Sequence, residues 1–76
     1  MSKSIEQMVA DQHLWTAAMR KAWRETAGLT LEQVANELGV TKMTVWRWET
    51  GERTPRGQNR VEYSRLLRAL KDSVDA

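Results

Sequence analysis

Four glycines and one proline constrain this 76-residue chain more than anything else in it: Gly28, Gly39, Gly51, Pro55 and Gly57 cut it into pieces of helix length. Glycine takes a positive φ at little cost and so ends helices cleanly, while proline resists continuing them. Within the pieces apolar residues recur at intervals of three and four, and the alternation of a strand is absent. The expected fold is therefore all-α, a compact bundle of four to five helices. No repeat or low-complexity linker interrupts it, so residues 1–76 are expected to form a single domain.

The first piece extends from about Ser4 to Ala27. Ser4 and Gln7 have the spacing of a capping box, and Ile5, Met8, Trp15, Met19, Ala22 and Trp23 trace a stripe expected to be buried. The piece is either one long helix or two, with Asp11 capping a second start and residues 1–11 forming an extension helix. Ile5, Met8 and Val9 would then be either extra packing or a dimer surface. Thr30 caps a short helix over Leu31–Leu38, with Leu31, Val34, Ala35 and Leu38 along one face, and Gly39 closes it. Thr41 caps a helix over Lys42–Thr50, which Gly51 stops. After a polar loop from Thr54 to Arg60, Val61–Leu70 reads as a final helix through Val61, Ser64 or Arg65, Leu66 or Leu67, and Leu70, with its apolar side inward.

The most informative stretch is LEQVANELGVTKMTVWRWET, residues 31–50. Two short helices joined by a turn at Gly39–Thr41 form a helix-turn-helix, a unit that lays its second helix in the major groove of DNA. Ala35 is small where the helices must cross, and Leu38, Val40, Val45 and Trp48 can lock their angle. At about 100° per residue, Val45 and Trp48 fall on one side of the second helix, and Lys42, Met43, Trp46 and Arg47 cluster on the other. The first side packs and the second is free to read. Lys42 and Arg47 can donate to guanine O6 and N7, Met43 can touch a thymine methyl, and Thr41 or Thr44 can bond phosphate. The helix N-terminus adds free N–H groups turned toward the DNA backbone.

Trp46 is the least expected residue, because a large ring on the reading side is costly to expose. It can stack on sugar and backbone, cover a partner's surface, or fold over its own domain. Trp48, Trp15 and Trp23 read as core, and His13 as a surface residue.

Charge supports a nucleic-acid partner through its distribution. The net charge is only +2, but Thr41 to Lys71 holds eight Lys and Arg against three acids, and Met1 to Val40 holds four against five. A concentration of cations in one half points to a face that attracts phosphate. Arg53, Arg56 and Arg60, directly after the reading helix, are the expected phosphate contacts, while Arg65, Arg68 and Lys71 suit an outward charged face equally well.

Other chemistries find little support. The chain has no cysteine and one histidine, so neither disulfides nor a metal site is expected, and no cofactor or small-molecule substrate is implied. No carboxylate has a convincing catalytic partner and no phosphate-cradling glycine loop appears, so an enzyme is not expected. No apolar run approaches the roughly 20 residues of a membrane span, and the start, Met1-Ser-Lys-Ser, is unlike a signal peptide. The reading is a soluble protein of a cytoplasm.

AGLTLEQVANELGV and TKMTVWRWETGERTP, with the joint spacing of Gly28, Ala35, Gly39, Val45, Trp48, Glu49, Gly51 and Pro55, resemble the phage-repressor and Cro family of helix-turn-helix regulators over roughly Arg20 to Leu70. The resemblance implies a lambda-repressor-like fold and a transcriptional regulator, a phage or bacterial repressor, that binds a double-stranded operator as a homodimer without catalysis. It places Lys42, Met43 and Arg47 at base-reading positions, Arg53 and Arg56 in a phosphate-contacting loop, and Arg24 opposite Glu49 as an ion pair. Three departures accompany it: Leu31 stands where a phosphate-contacting glutamine is common, Arg20 where an apolar residue is usual, and the loop from Thr54 to Arg60 looks long. The alternative reading is a protein-interaction adaptor or antitoxin-like module that keeps the fold and binds through Trp46 and Met43.

Overall fold

The computed structural model describes residues 3–75 and contains five helices: α1 Ile5–Ala10, α2 Ala17–Thr26, α3 Leu31–Leu38, α4 Lys42–Thr50 and α5 Gly57–Asp75, with no strand among the described residues. The all-α expectation of four to five helices holds. The caps explain why these segments begin where they do. The side-chain oxygens of Ser4, Thr16, Thr30 and Thr41 each accept a backbone N–H three residues on, satisfying a donor the helix cannot. At Thr30 the bond is reciprocated, because Oε1 of Gln33 accepts the Thr30 N–H at 2.8 Å. At Ser4 only half of the expected box forms, since the Gln7 amide turns to Asp11 instead. The helix expected over 1–11 is α1; Met1 and Ser2 lie outside the described residues.

The long N-terminal piece breaks, and not as the sequence reading placed it. Asp11 ends α1 rather than starting α2, which Thr16 caps. Between them Trp15 takes φ 55, an unusual conformation for a side chain of this size. Its ring meets Trp23 edge-on at 5.3 Å, and the guanidinium of Arg68 sits over it at 5.8 Å. The connecting segment is fastened by its carbonyls. Ala10 O accepts from Arg68, Gln12 O from Arg60, His13 O from Ser64, and both Leu14 O and Trp15 O from Arg20.

The core consists of Leu14, Val34, Ala35, Val45, Trp48, Tyr63 and Leu67, contributed by the connecting segment and by α3, α4 and α5. Trp48 and Tyr63 lie with ring centroids 4.9 Å apart. Helix α2 packs on α4 and α5, and α3 packs on both as well, whereas α1 lies apart from their backbones and is tied to α5 by the bond from Arg68 to Ala10 O. The expected buried stripe is corrected accordingly: Ile5, Met8, Met19 and Ala22 are exposed, and Trp15 and Trp23 are half-buried at the core's rim; Val9, beside the stripe, is exposed too. Helix α2 turns Arg20 and Arg24 inward instead. The last helix begins earlier and ends later than Val61–Leu70, absorbing Gly57–Arg60 from the expected loop. Its inward residues are Tyr63, Ser64, Leu67 and Leu70.

Candidate nucleic-acid interface

The pair α3 and α4 is set by a turn that depends on one glycine. Gly39 has φ 68, and from this left-handed conformation its N–H reaches Asn36 O while that of Val40 reaches Ala35 O at 3.0 Å. Ala35, buried in the core, lets α4 approach α3 closely. Helix α4 then buries Val45, Trp48 and Glu49.

Two arginines of α2 hold the C-terminal half of α4. Arg24 forms a two-bond pair with Glu49, at 2.6 Å from Nε and 2.9 Å from the second nitrogen, and a further nitrogen donates to Leu29 O at 2.8 Å. Hydrogen bonding to Glu49 raises the Arg24 pKa above its ordinary value against the opposing effect of burial. Arg20 reaches the carbonyl of Trp48 at 2.7 Å. The ion pair that the resemblance implied is present, and Arg20 adds a clamp that the sequence reading missed. Its one trace in the sequence is the spacing of Arg20 and Arg24 on a single helical face, which a pattern of apolar residues does not register.

With one side held, the other is exposed. Met43 keeps 51% and Trp46 45% of their surface accessible, and Arg47 lies half-buried beside them. The Nε of Arg47 is 4.0 Å from Oε1 of Glu52, a loose pair with both side chains open to solvent. The backbone carbonyl of Arg47 receives the Thr50 hydroxyl and the Arg53 N–H, each at 3.1 Å, which ties the following loop to the helix. Two shallow grooves flank this face. Lys42 lines the first with Thr30 and Leu31, at the start of α3. Thr44 lines the second with Arg53, Arg56 and Asn59. Asn59 was not singled out in the sequence; it enters because α5 starts before Arg60.

The eight expected residues thus separate by position. Met43, Trp46 and Arg47 share the outward face, Lys42 stands at one margin, and Thr44, Arg53 and Arg56 stand at the other. Thr41 Oγ1 accepts the Thr44 N–H and lies 2.8 Å from Thr44 Oγ1, so one hydroxyl proton joins the two threonines and one is left for an outside acceptor. Arg60, the third expected phosphate contact, donates its Nε to Gln12 O. His13 is exposed, as expected, with its ring edge-on to Trp15.

Among the described residues no group of His, Cys, Asp and Glu is arranged to hold a metal ion, and no helix is long and apolar enough to cross a membrane. No curated protein and no solved structure matches the chain. A family model described as a helix-turn-helix domain matches residues 21–75, a span that runs from α2 to the end of α5 and leaves out α1 and the segment after it. The glycine turn, the inward anchors of α4 and this match over most of its length agree, and the chain belongs to the helix-turn-helix domain family.

Proposed function

We propose that the protein is a sequence-specific double-stranded DNA-binding transcriptional regulator, a repressor of phage or bacterial type, that reads the major groove with α4. Membership of the helix-turn-helix family supports DNA binding. The observation that carries the reading is the division of α4, with Val45, Trp48 and Glu49 held inward and an outer face carrying Arg47, flanked by Lys42 on one side and by Arg53 and Arg56 on the other. In this reading Arg47 donates to O6 and N7 of a guanine, leaving Glu52, from which it is separated at little cost because both groups are solvated. Lys42 and Met43 meet bases near the helix start, and Trp46 lies along the groove wall. Thr41, Thr44, Arg53 and Arg56 hold phosphates on either side, which fixes the depth and register of the helix.

One reading helix covers about four or five base pairs, so useful selectivity calls for a homodimer on two half-sites one helical turn apart. Such a protein works in the cytoplasm of a bacterial or phage-infected cell, and the proposed role involves no catalytic step or cofactor. The test is Arg47→Ala. Affinity for a duplex selected from a random pool should fall by about fivefold to a hundredfold, with preference relaxed at one base pair, as expected when a contact of about 1–3 kcal/mol is lost. Unchanged affinity and unchanged preference would show that this face is not the reader. The exposed Met43 and Trp46 also favour a second reading, an adaptor or antitoxin-like module that binds protein. Salt separates them, since DNA binding weakens steeply from low to physiological salt and an apolar protein contact does not.

A further inference from the structure

Met43 and Trp46 stand three positions apart on one exposed helical face, which makes their side chains neighbours. Neither is among the half-buried residues that pack against the core, and among the described residues Trp46 pairs with no other aromatic ring. An apolar pair of this size needs something to cover it. Its surroundings indicate what. Arg47 shares the face, Lys42 lies at one margin beside Glu25 and Glu32, and Arg53 and Arg56 line the other beside Glu52. A matching surface is apolar at its centre and anionic along the Arg53 and Arg56 side. The exposed apolar residues of α1 lack such a cationic side, because Ile5, Met8 and Val9 lie among Lys3, Glu6 and Asp11, one cation against two acids.

Duplex DNA offers that combination at one place. The floor of the major groove is hydrogen-bonding base edge except for the group on C5 of a pyrimidine, and phosphates run along both walls. We propose that Met43 and Trp46 together read the 5-methyl group of pyrimidines, so that the preferred site is defined by methyl content as well as by hydrogen-bond donors and acceptors. The inference rests on the DNA-binding reading above and deepens it, naming the chemical group this face selects. Its physical basis is the transfer of a methyl from water to a contact between a thioether and an indole ring, the same gain that drives burial in a protein core.

The test alters the DNA and leaves the protein intact. The full chain is given the duplex recovered by selection from a random pool, and the same duplex with each thymine replaced by deoxyuridine, which keeps every hydrogen-bonding group and lacks only the methyl. Affinity should fall about fourfold for each contacted methyl removed. The double variant Met43→Ala, Trp46→Ala, its helical content checked by circular dichroism, should bind the two duplexes equally. Replacing cytosine by 5-methylcytosine in the same site separates the sources: tighter binding means that the patch accepts the group from either base, and unchanged binding assigns it to thymine. The proposal is overturned alone if the parent chain binds thymine and deoxyuridine duplexes equally while the Arg47→Ala loss and the salt dependence persist. It also falls if the double variant keeps the full difference, or if the selected site contains no 5-methylpyrimidine. Absence of binding to any duplex at low salt would remove the DNA-binding reading along with it.

Discussion

Tyr63 shows how a single buried group couples this small core to pH. Its ring is fully enclosed beside Trp48, and its hydroxyl meets no hydrogen-bonding partner among the described residues. Burial, the largest influence, pushes the phenol from 10.0 up to about 12. Below about pH 10 the group is neutral in both folded and unfolded chains and makes no pH-dependent contribution. Between about pH 10 and 12 the unfolded chain loses the proton and the folded one keeps it, so stability falls as pH rises, by roughly 3 kcal/mol from this group. Tyr63→Phe should remove that part of the alkaline loss, measured as the difference between the two proteins in urea titrations across this range. At neutral pH it should raise stability by about 1 kcal/mol, because an unsatisfied buried hydroxyl is deleted. Tyr63 is the only tyrosine, so the absorbance of tyrosinate reports its titration directly.

At the scale of the helix, the connection between α3 and α4 depends on Gly39. A Cβ there would meet no atom within 4 Å, so the cost of substitution lies in the backbone conformation alone. Gly39→Ala should destabilise by about 1–2 kcal/mol in denaturant unfolding, and Gly39→Asn by less, since asparagine tolerates the left-handed region better. The ends of α3 and α4 were legible in the sequence for the same reason. Thr30, Gly39, Thr41 and Gly51 act through bonds that span only a few residues. The outward face of α4 was legible too, once Val45 and Trp48 fixed its phase. Helix α2 was not, because its inward residues are charged, and their partners are a carbonyl at position 48 and a carboxylate at position 49. Counting apolar residues cannot find a face built from Arg20 and Arg24. A break near Asp11 was among the alternatives, but the restart at Thr16 was hidden, since Trp15 in a left-handed conformation is held by distant contacts. The start of α5 was missed because Gln58, Asn59 and Arg60 make a solvated first turn without apolar periodicity.

For the whole molecule, the basic half of the sequence divides between two tasks. Arg68 donates to the last carbonyl of α1 and Arg60 to one in the segment after it, Lys71 pairs with Asp75, and Arg65 lines a groove beside Glu37 and Glu62. Lys42, Arg47, Arg53 and Arg56 remain around α4. If four cations meet DNA, the logarithm of affinity should fall with the logarithm of salt at a slope of roughly −4 per chain. Arg53→Ala should reduce the slope by about one and Arg65→Ala should leave it unchanged, both measured by titration at several salt concentrations. The first task has a consequence for how the chain reaches its native state. Three of the side chains that hold the carbonyls of residues 10–15, Arg60, Ser64 and Arg68, are made some fifty residues after them. During synthesis those carbonyls wait for α5, so this stretch is fastened to that helix only after it has been made.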